Sequence, residues 1–177
     1  DWTVHPKAIG FRLRGDVEIR RIDRGALARE ERARREAAAQ EARRIILRSE
    51  LAPHPYLIAK GFPQHRGLVH DGRLVVPMRS FERYRERIYS VQMIDAGGDK
   101  KFLPGGRAKG AVYRMGAGFD VWLVEGYATA LSVQAALESL YRKAEVWACF
   151  SAGNLAFIAS QVACRIFADN DRSGTGQ

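Results

Sequence analysis

Three carboxylates carry the main chemical signal in this 177-residue chain. Glu125, followed by Gly126, comes directly after the apolar run Val121-Trp122-Leu123-Val124. Asp169 and Asp171 flank Asn170 directly after Arg165-Ile166-Phe167-Ala168. Each motif closes a predicted strand. In an open α/β sheet the loops at the carboxyl ends of parallel strands share one edge, so a glutamate and a split pair of aspartates are expected to converge there. Three carboxylates in one crevice repel one another and call for a divalent cation. Hard oxygen ligands suit Mg²⁺, which keeps much of its water and binds through one or two carboxylates plus substrate phosphates. The chemistry indicated is phosphoryl transfer.

The elements that must position these groups follow from periodicity. Val121–Val124 reads as a strand, and 127–141 as a helix with Ala130, Leu131, Val133, Ala136, Leu137 and Leu140 on its apolar side. Residues 146–150 read as a second strand, 154–163 as a second helix and 165–168 as a third strand. Consecutive β-α-β units with short loops predict right-handed crossovers and a parallel sheet with flanking helices over 119–177. Upstream, residues 53–118 predict a small antiparallel β-rich unit. His54 to Gly61 reads as a short helix stopped by Gly61. Residues 67–70 and 74–78 flank Asp71-Gly72 as a hairpin. Residues 88–94 alternate at period two, Ala96-Gly97-Gly98-Asp99 turns the chain, and Lys101-Phe102-Leu103 resumes it.

Residues 1–52 form the third part, a basic N-terminal arm and helix. The stretch to Gly25 holds Trp2, Phe11 and the short alternation Val17-Glu18-Ile19, and predicts no firm element. Residues 26–50 are rich in Ala, Glu and Arg without Gly or Pro, which predicts a helix ended by Pro53. With few large apolar residues up to Gln40, this helix is expected to be solvated or bridging. A nucleic-acid role for Arg29, Arg32, Arg34 and Arg35 competes with intrahelical pairing to Glu30, Glu31 and Glu36, and mixed charge at this spacing favours the pairing.

Charge is distributed unevenly. Residues 1–50 hold 13 Lys and Arg against 9 Asp and Glu, residues 51–115 hold 12 against 5, and residues 116–177 hold 4 against 6. Acidity gathers with the carboxylate motifs, and the preceding segments carry a positive field suited to a polyanion. The two cysteines, Cys149 and Cys164, have no zinc-ligand spacing and are expected to be reduced and buried. No signal peptide or membrane-length apolar stretch is present, so the expected location is the cytoplasm, with no membrane partner. The chain begins at Asp1 and stops in Ser173-Gly174-Thr175-Gly176-Gln177, a glycine-rich run expected to lead into another helix. It is expected to be an incomplete part of something longer.

A second constellation comprises Lys101, Gly105, Gly106, Arg107, Lys109 and Gly110. Glycines let backbone N–H groups approach an anion closely, and the cations would hold a triphosphate or a template backbone. The competing reading is a flexible turn with solvated charges. Gly-Lys-Ser/Thr is missing, so this is not a Walker-type loop. Asn154 is read first as a cap of the second helix and second as a nucleotide or template contact. His5, His54, His65 and His70 have no ligand spacing and read as packing or surface residues. Tyr56, Phe62, Tyr84, Tyr89 and Tyr113 lie amid the basic half, where stacking on single-stranded bases competes with core packing.

Each motif alone is common, but their order and strand-end placement form a set. Val121-Trp122-Leu123-Val124-Glu125-Gly126 resembles the glutamate motif of the Toprim domain, the catalytic fold of bacterial-type primases, topoisomerases and some nucleases. Asp169-Asn170-Asp171-Arg172-Ser173-Gly174 resembles its aspartate motif. His54-Pro55-Tyr56-Leu57, Leu74-Val75-Val76-Pro77-Met78, Ser90-Val91-Gln92-Met93-Ile94-Asp95, Lys101-Phe102-Leu103-Pro104-Gly105-Gly106, Glu125-Gly126-Tyr127-Ala128-Thr129-Ala130 and Ala152-Gly153-Asn154-Leu155 are similar to the Toprim primases of phages, plasmids and other mobile elements. The likeness covers residues 52 to 177. In that family the domain is often joined to a zinc-binding module or a helicase.

The resemblance implies that Asp169 and Asp171 hold Mg²⁺ or Mn²⁺, and that Glu125 is a further ligand or the general base for a 3′-hydroxyl. It implies a DNA primase, a nucleotidyltransferase that takes ribonucleoside triphosphates and a single-stranded DNA template. A Toprim nuclease and a non-catalytic, nucleic-acid-binding remnant of a primase-helicase are the alternatives, because the same three carboxylates serve water or a hydroxyl. Topoisomerase-type sites commonly carry a third acid where this chain has Ser173, and no cleavage-tyrosine domain is present, so strand passage is not implied.

Overall fold

The computed structural model describes residues 23–82 and 86–168. Asp169 and Asp171, the glycine-rich run 173–177, Tyr84, His5 and the readings made for residues 1–22 lie outside the described residues.

A mixed α/β sheet forms the centre. The first helix, α1 (Arg24–Arg48), starts at Asp23, whose carboxylate accepts from Ala26 N–H at 2.9 Å. It ends at Ser49 rather than at Pro53. The three residues between are captured by the sheet as β1 (Glu50–Ala52), paired antiparallel with β2 (Gly67–His70). Between them lies α2 (Pro55–Ala59), capped by His54. The His54 ring accepts at Nδ1 from Tyr56 N–H (3.2 Å) and so donates from Nε2 to Gly72 O (3.1 Å). This makes His54 a packing residue, as its lack of ligand spacing suggests.

The hairpin from β2 to β3 (Arg73–Ser80) turns on Asp71 (φ 48°) and Gly72 (φ 70°). Two consecutive positive φ angles give a turn whose twist matches that of the strands, which is why Asp-Gly is favoured there. On its other edge β3 pairs antiparallel with β4 (Ile88–Ile94), and β4 pairs with the edge strand β5 (Lys100–Phe102). Next come β6 (Ala111–Gly116), β7 (Asp120–Val124), α3 (Tyr127–Ser139), β8 (Ala144–Ala148), α4 (Ala152–Ala159) and β9 (Arg165–Ile166).

The sequence does not announce β6, yet β6 joins the two halves. Ala111 and Val112 pair with Ser80 and Arg79 of β3, and Tyr113 to Gly116 pair antiparallel with β8. The antiparallel strands and the β-α-β-α-β segment therefore share one nine-stranded sheet, in the order β1-β2-β3-β6-β8-β7-β9 with β4 and β5 branching from β3. Strands β7, β8 and β9 are mutually parallel as the crossovers require.

The two faces are covered differently. Leu74, Val76 and Ile94 pack with Tyr56, Leu57, Tyr127 and Leu131, that is, against α2 and α3. Val75 and Val91, pointing the other way, meet Ala42 and Ile45 of α1. Residues Val146 and Ala148 face α3, whereas Trp147 and Cys149 face Ile158 of α4. Alternate residues thus enter opposite cores, so β3 and β8 read as continuous apolar runs. Helix α1, expected to be solvated or bridging, is exposed over residues 24–37, but its later turns dock on the sheet through Ala38, Ala39, Ala42 and Ile45, a correction that rests on small residues the apolar pattern passes over. Burial holds the Cys149 thiol up at about 12, so it is neutral and unreactive at ordinary pH; Cys164 is half-buried against the same core.

Among the described residues no helix is long and apolar enough to cross a membrane.

Candidate active site

Strand β7 lies between β8 and β9. The chain leaves β7 through α3 to reach β8 on one side, then leaves β8 through α4 to reach β9 on the other. Reversing direction across the sheet with right-handed crossovers puts α3 and α4 on opposite faces. Neighbouring parallel strands followed by helices on opposite faces create a crevice at their carboxyl ends, the usual place for a ligand in an open α/β sheet. Glu125, the first residue after β7, stands at that place.

The backbone there is held tightly. Phe150 N–H donates to Glu125 O at 2.7 Å, and Cys149 N–H to Val124 O at 2.9 Å. Phe150 adopts φ 70°, uncommon for a residue with a side chain, and so turns the chain sharply into α4. The Glu125 side chain is half-buried, and its carboxylate carries no hydrogen bond or ion pair among the described residues. Gly126 caps α3 without a side-chain hydrogen bond, leaving the first-turn N–H groups of a 13-residue helix directed at the crevice.

Asp169 and Asp171 lie outside the described residues, but the strand leading to them does not. Trp122 pairs with Arg165 and Leu123 with Ile166, and Phe167 N–H donates to Leu123 O at 2.9 Å. Carried on residue by residue, that register brings Ala168 level with Glu125. A carboxylate oxygen such as that of Glu125 at the end of β7 is a hard ligand, of the kind that suits Mg²⁺ or Mn²⁺ more than a soft metal. Among the described residues alone, no group of three His, Cys, Asp or Glu side chains could hold a metal ion.

Beside Glu125 the structure brings Lys100 rather than Lys101. A methyl group at Gly126 would lie 3.9 Å from Lys100 Nζ, and the same ammonium stands 5.9 Å from the Tyr56 ring centroid. Lys100 pairs with Ile94, whose side chain enters the core under α3, while Lys101 pairs with Met93, which packs toward α1. Period two therefore sends Lys100 and Phe102 to the Glu125 side and Lys101 to the other. Phe102, 42 % exposed, meets Phe150 edge-on at 6.3 Å. Carrying the apolar phase of Ile94 across the hairpin would have singled out Lys100; the positive φ of Phe150 has no sequence signal. Behind these groups Tyr127 is buried, its hydroxyl 3.2 Å from His65 Nε2, and burial raises its pKa. Tyr56 is buried in the same core and Tyr113 and Phe62 pack against it, so packing claims these aromatics.

The glycine-rich constellation does not close around one anion. Gly105 lies under Arg34 of α1, and Gly106 is pressed against Ser90 so closely that a Cβ would collide. The Arg107 guanidinium covers Tyr89 at 4.7 Å and donates from Nε to Lys109 O at 2.9 Å. Lys109 Nζ stands 4.5 Å from the Phe157 ring centroid on α4. These groups run across the sheet face opposite α3, from α1 to α4, instead of forming a cradle.

Asn154 is neither a cap nor positioned as a ligand contact. Ser151 caps α4, its Oγ accepting from Asn154 N–H at 3.3 Å. The Asn154 side chain turns inward, 7 % exposed, where Oδ1 accepts from Gly110 N–H at 2.7 Å. Its Nδ2 donates to Ala111 O at 2.8 Å and to Cys149 O at 2.7 Å. The helix mouth is Ser151, three residues earlier, and that first turn of α4 carries the Asn154 side chain under β6.

Neither a family model nor a solved structure matches the chain.

Proposed function

We propose that this chain is the catalytic part of a Toprim-type DNA primase, joining ribonucleotides on a single-stranded DNA template. The observation that carries the reading is Glu125: a half-buried carboxylate with no described partner, at the carboxyl end of the central parallel strand, beside the strand that runs into Asp169-Asn170-Asp171. The Toprim resemblance of those two motifs selects nucleotidyl transfer from the wider set of phosphoryl transfers.

In the proposed reaction a 3′-hydroxyl oxygen bonds to the α-phosphorus of the incoming ribonucleoside triphosphate, and pyrophosphate leaves with the electrons of the broken P–O bond. Glu125 accepts a hydrogen bond from the hydroxyl, aligns it and takes its proton. Lys100 places a positive charge beside the same loop, and the free first-turn N–H groups of α3 favour phosphate oxygen there. Phe102 and Phe150 offer an apolar edge for the base. A divalent cation held by Asp169, Asp171 and Glu125 would neutralise charge on the phosphoryl and leaving oxygens.

The direct test incubates the chain with single-stranded DNA, labelled ribonucleotides and Mg²⁺ or Mn²⁺ and resolves products on a denaturing gel, beside Asp171→Ala. A short RNA ladder that the variant does not make is the expected result. A shortened template without a ladder would replace primase with nuclease, and an intact template without a ladder would leave a binding remnant.

Lys100 supplies a finer check. Lys100→Ala is expected to raise the KM for ribonucleotide about tenfold, the worth of one charge-assisted hydrogen bond, while Lys101→Ala stays within about twofold. Steady-state kinetics with the two variants side by side would disprove the placement if Lys101 had the larger effect.

A further inference from the structure

On the sheet face opposite α3, α1 overhangs β4 from Ala28 to Arg43 and leaves an open groove of about 580 Å³. Ala28, Arg32, Arg35, Ala39 and Arg43 line one wall at helical spacing, and Arg87, Tyr89 and Arg107 line the other. Five arginines face two glutamates, Glu31 and Glu36. Glu31 pairs with Arg35, and Glu36 with Arg43 at 3.7 Å. Arg32 and Arg87 have no carboxylate partner among the described residues, and the charge of Arg107 is offset only by the Tyr89 ring and a carbonyl.

An excess of guanidinium lining an open groove is an electrostatic demand for an anion. Length decides which one. From Ala28 to Arg43 the helix rises about 22 Å, more than a triphosphate tail can follow. Charges spaced along such a wall match the regular spacing of phosphates along an extended strand, and the Arg107 guanidinium, backed by the Tyr89 ring, offers a flat face on which a base of any kind can stack. We propose that this groove is a track for the sugar-phosphate backbone of single-stranded nucleic acid, held by Arg32, Arg87 and Arg107. It explains why this helix carries arginine on the face that elsewhere docks on the sheet. It goes beyond the catalytic reading, because the groove needs no metal and lies away from Glu125.

The test is fluorescence anisotropy of a labelled oligothymidine, with EDTA present and no nucleotide, so that a failed catalytic site leaves the measurement intact. The double variant Arg32→Ala/Arg87→Ala is compared with Arg48→Ala/Arg73→Ala, which removes the same charge from exposed positions outside the groove. The groove pair is expected to weaken binding about tenfold and to lower the slope of log K against log salt by about 1.4, while the control pair stays within about twofold. Equal behaviour of the two pairs would overturn the proposal. So would polyglutamate competing as well as unlabelled oligothymidine, because the groove would then read charge alone.

Discussion

Glu125→Gln is expected to lower primer synthesis about a thousandfold, roughly 4 kcal/mol of barrier, while leaving the melting temperature within about 2 °C of the parent. The two halves of the expectation have one cause. In the fold, Glu125 acts through its backbone, whose carbonyl accepts from Phe150 N–H, and its carboxylate bonds to no described group. An isosteric amide therefore removes no structural contact. In the proposed reaction the carboxylate supplies negative charge and a proton acceptor, and the amide supplies neither. Synthesis rates and thermal melts of parent and variant check both halves together. Activity within tenfold of the parent would remove Glu125 from the mechanism, and a large loss of stability would make it a structural residue.

Asn154 is expected to show the reverse pattern. Asn154→Ala strands Gly110 N–H, Ala111 O and Cys149 O in a dry place, each at about 1–3 kcal/mol, so a loss of about 3–5 kcal/mol of unfolding free energy follows. Asn154→Asp keeps the acceptor for Gly110 but turns an oxygen toward two carbonyls. Its instability is expected to ease as pH falls, because the protonated carboxyl can donate to one of them. Denaturant unfolding of the three proteins at two pH values decides the matter. If Asn154→Ala melts like the parent but binds nucleotide weakly, Asn154 is a ligand contact and not the strut joining β6, β8 and α4.

Much of the local structure was legible in the residues themselves. Asp71-Gly72 demands a turn with two positive φ angles, so its hairpin forms at the expected position. Period two over 88–94 is satisfied within β4, and the apolar pattern expected over 127–141 within α3, which ends two residues earlier, at Ser139. The strand ending at Glu125 was also legible, because an apolar run stopped by an acid and a glycine cannot continue through a buried sheet. Three features were not. β1 and β6 are held by their partners in the sheet more than by their own composition, and β6 merges two units that look separate along the chain. The docking face of α1 escaped notice because its seam is built of alanines, which bury little area each but permit close approach.

By itself the sequence determined the β-α-β-α-β order after residue 119, the parallel character of the last three strands and the placement of Glu125 at a strand end. These follow from periodicity, from turn chemistry and from the handedness of crossovers, all of which act over a few residues or a single connection. Only the tertiary structure decided which cation stands beside Glu125, that Asn154 is consumed by three backbone groups, and that Arg32, Arg87 and Arg107 line one groove. Lys100 and Lys101 are chemically alike and adjacent, and what separates them is the hairpin register together with the helix that covers each face. That choice belongs to layers packed from distant parts of the chain, which no local pattern encodes.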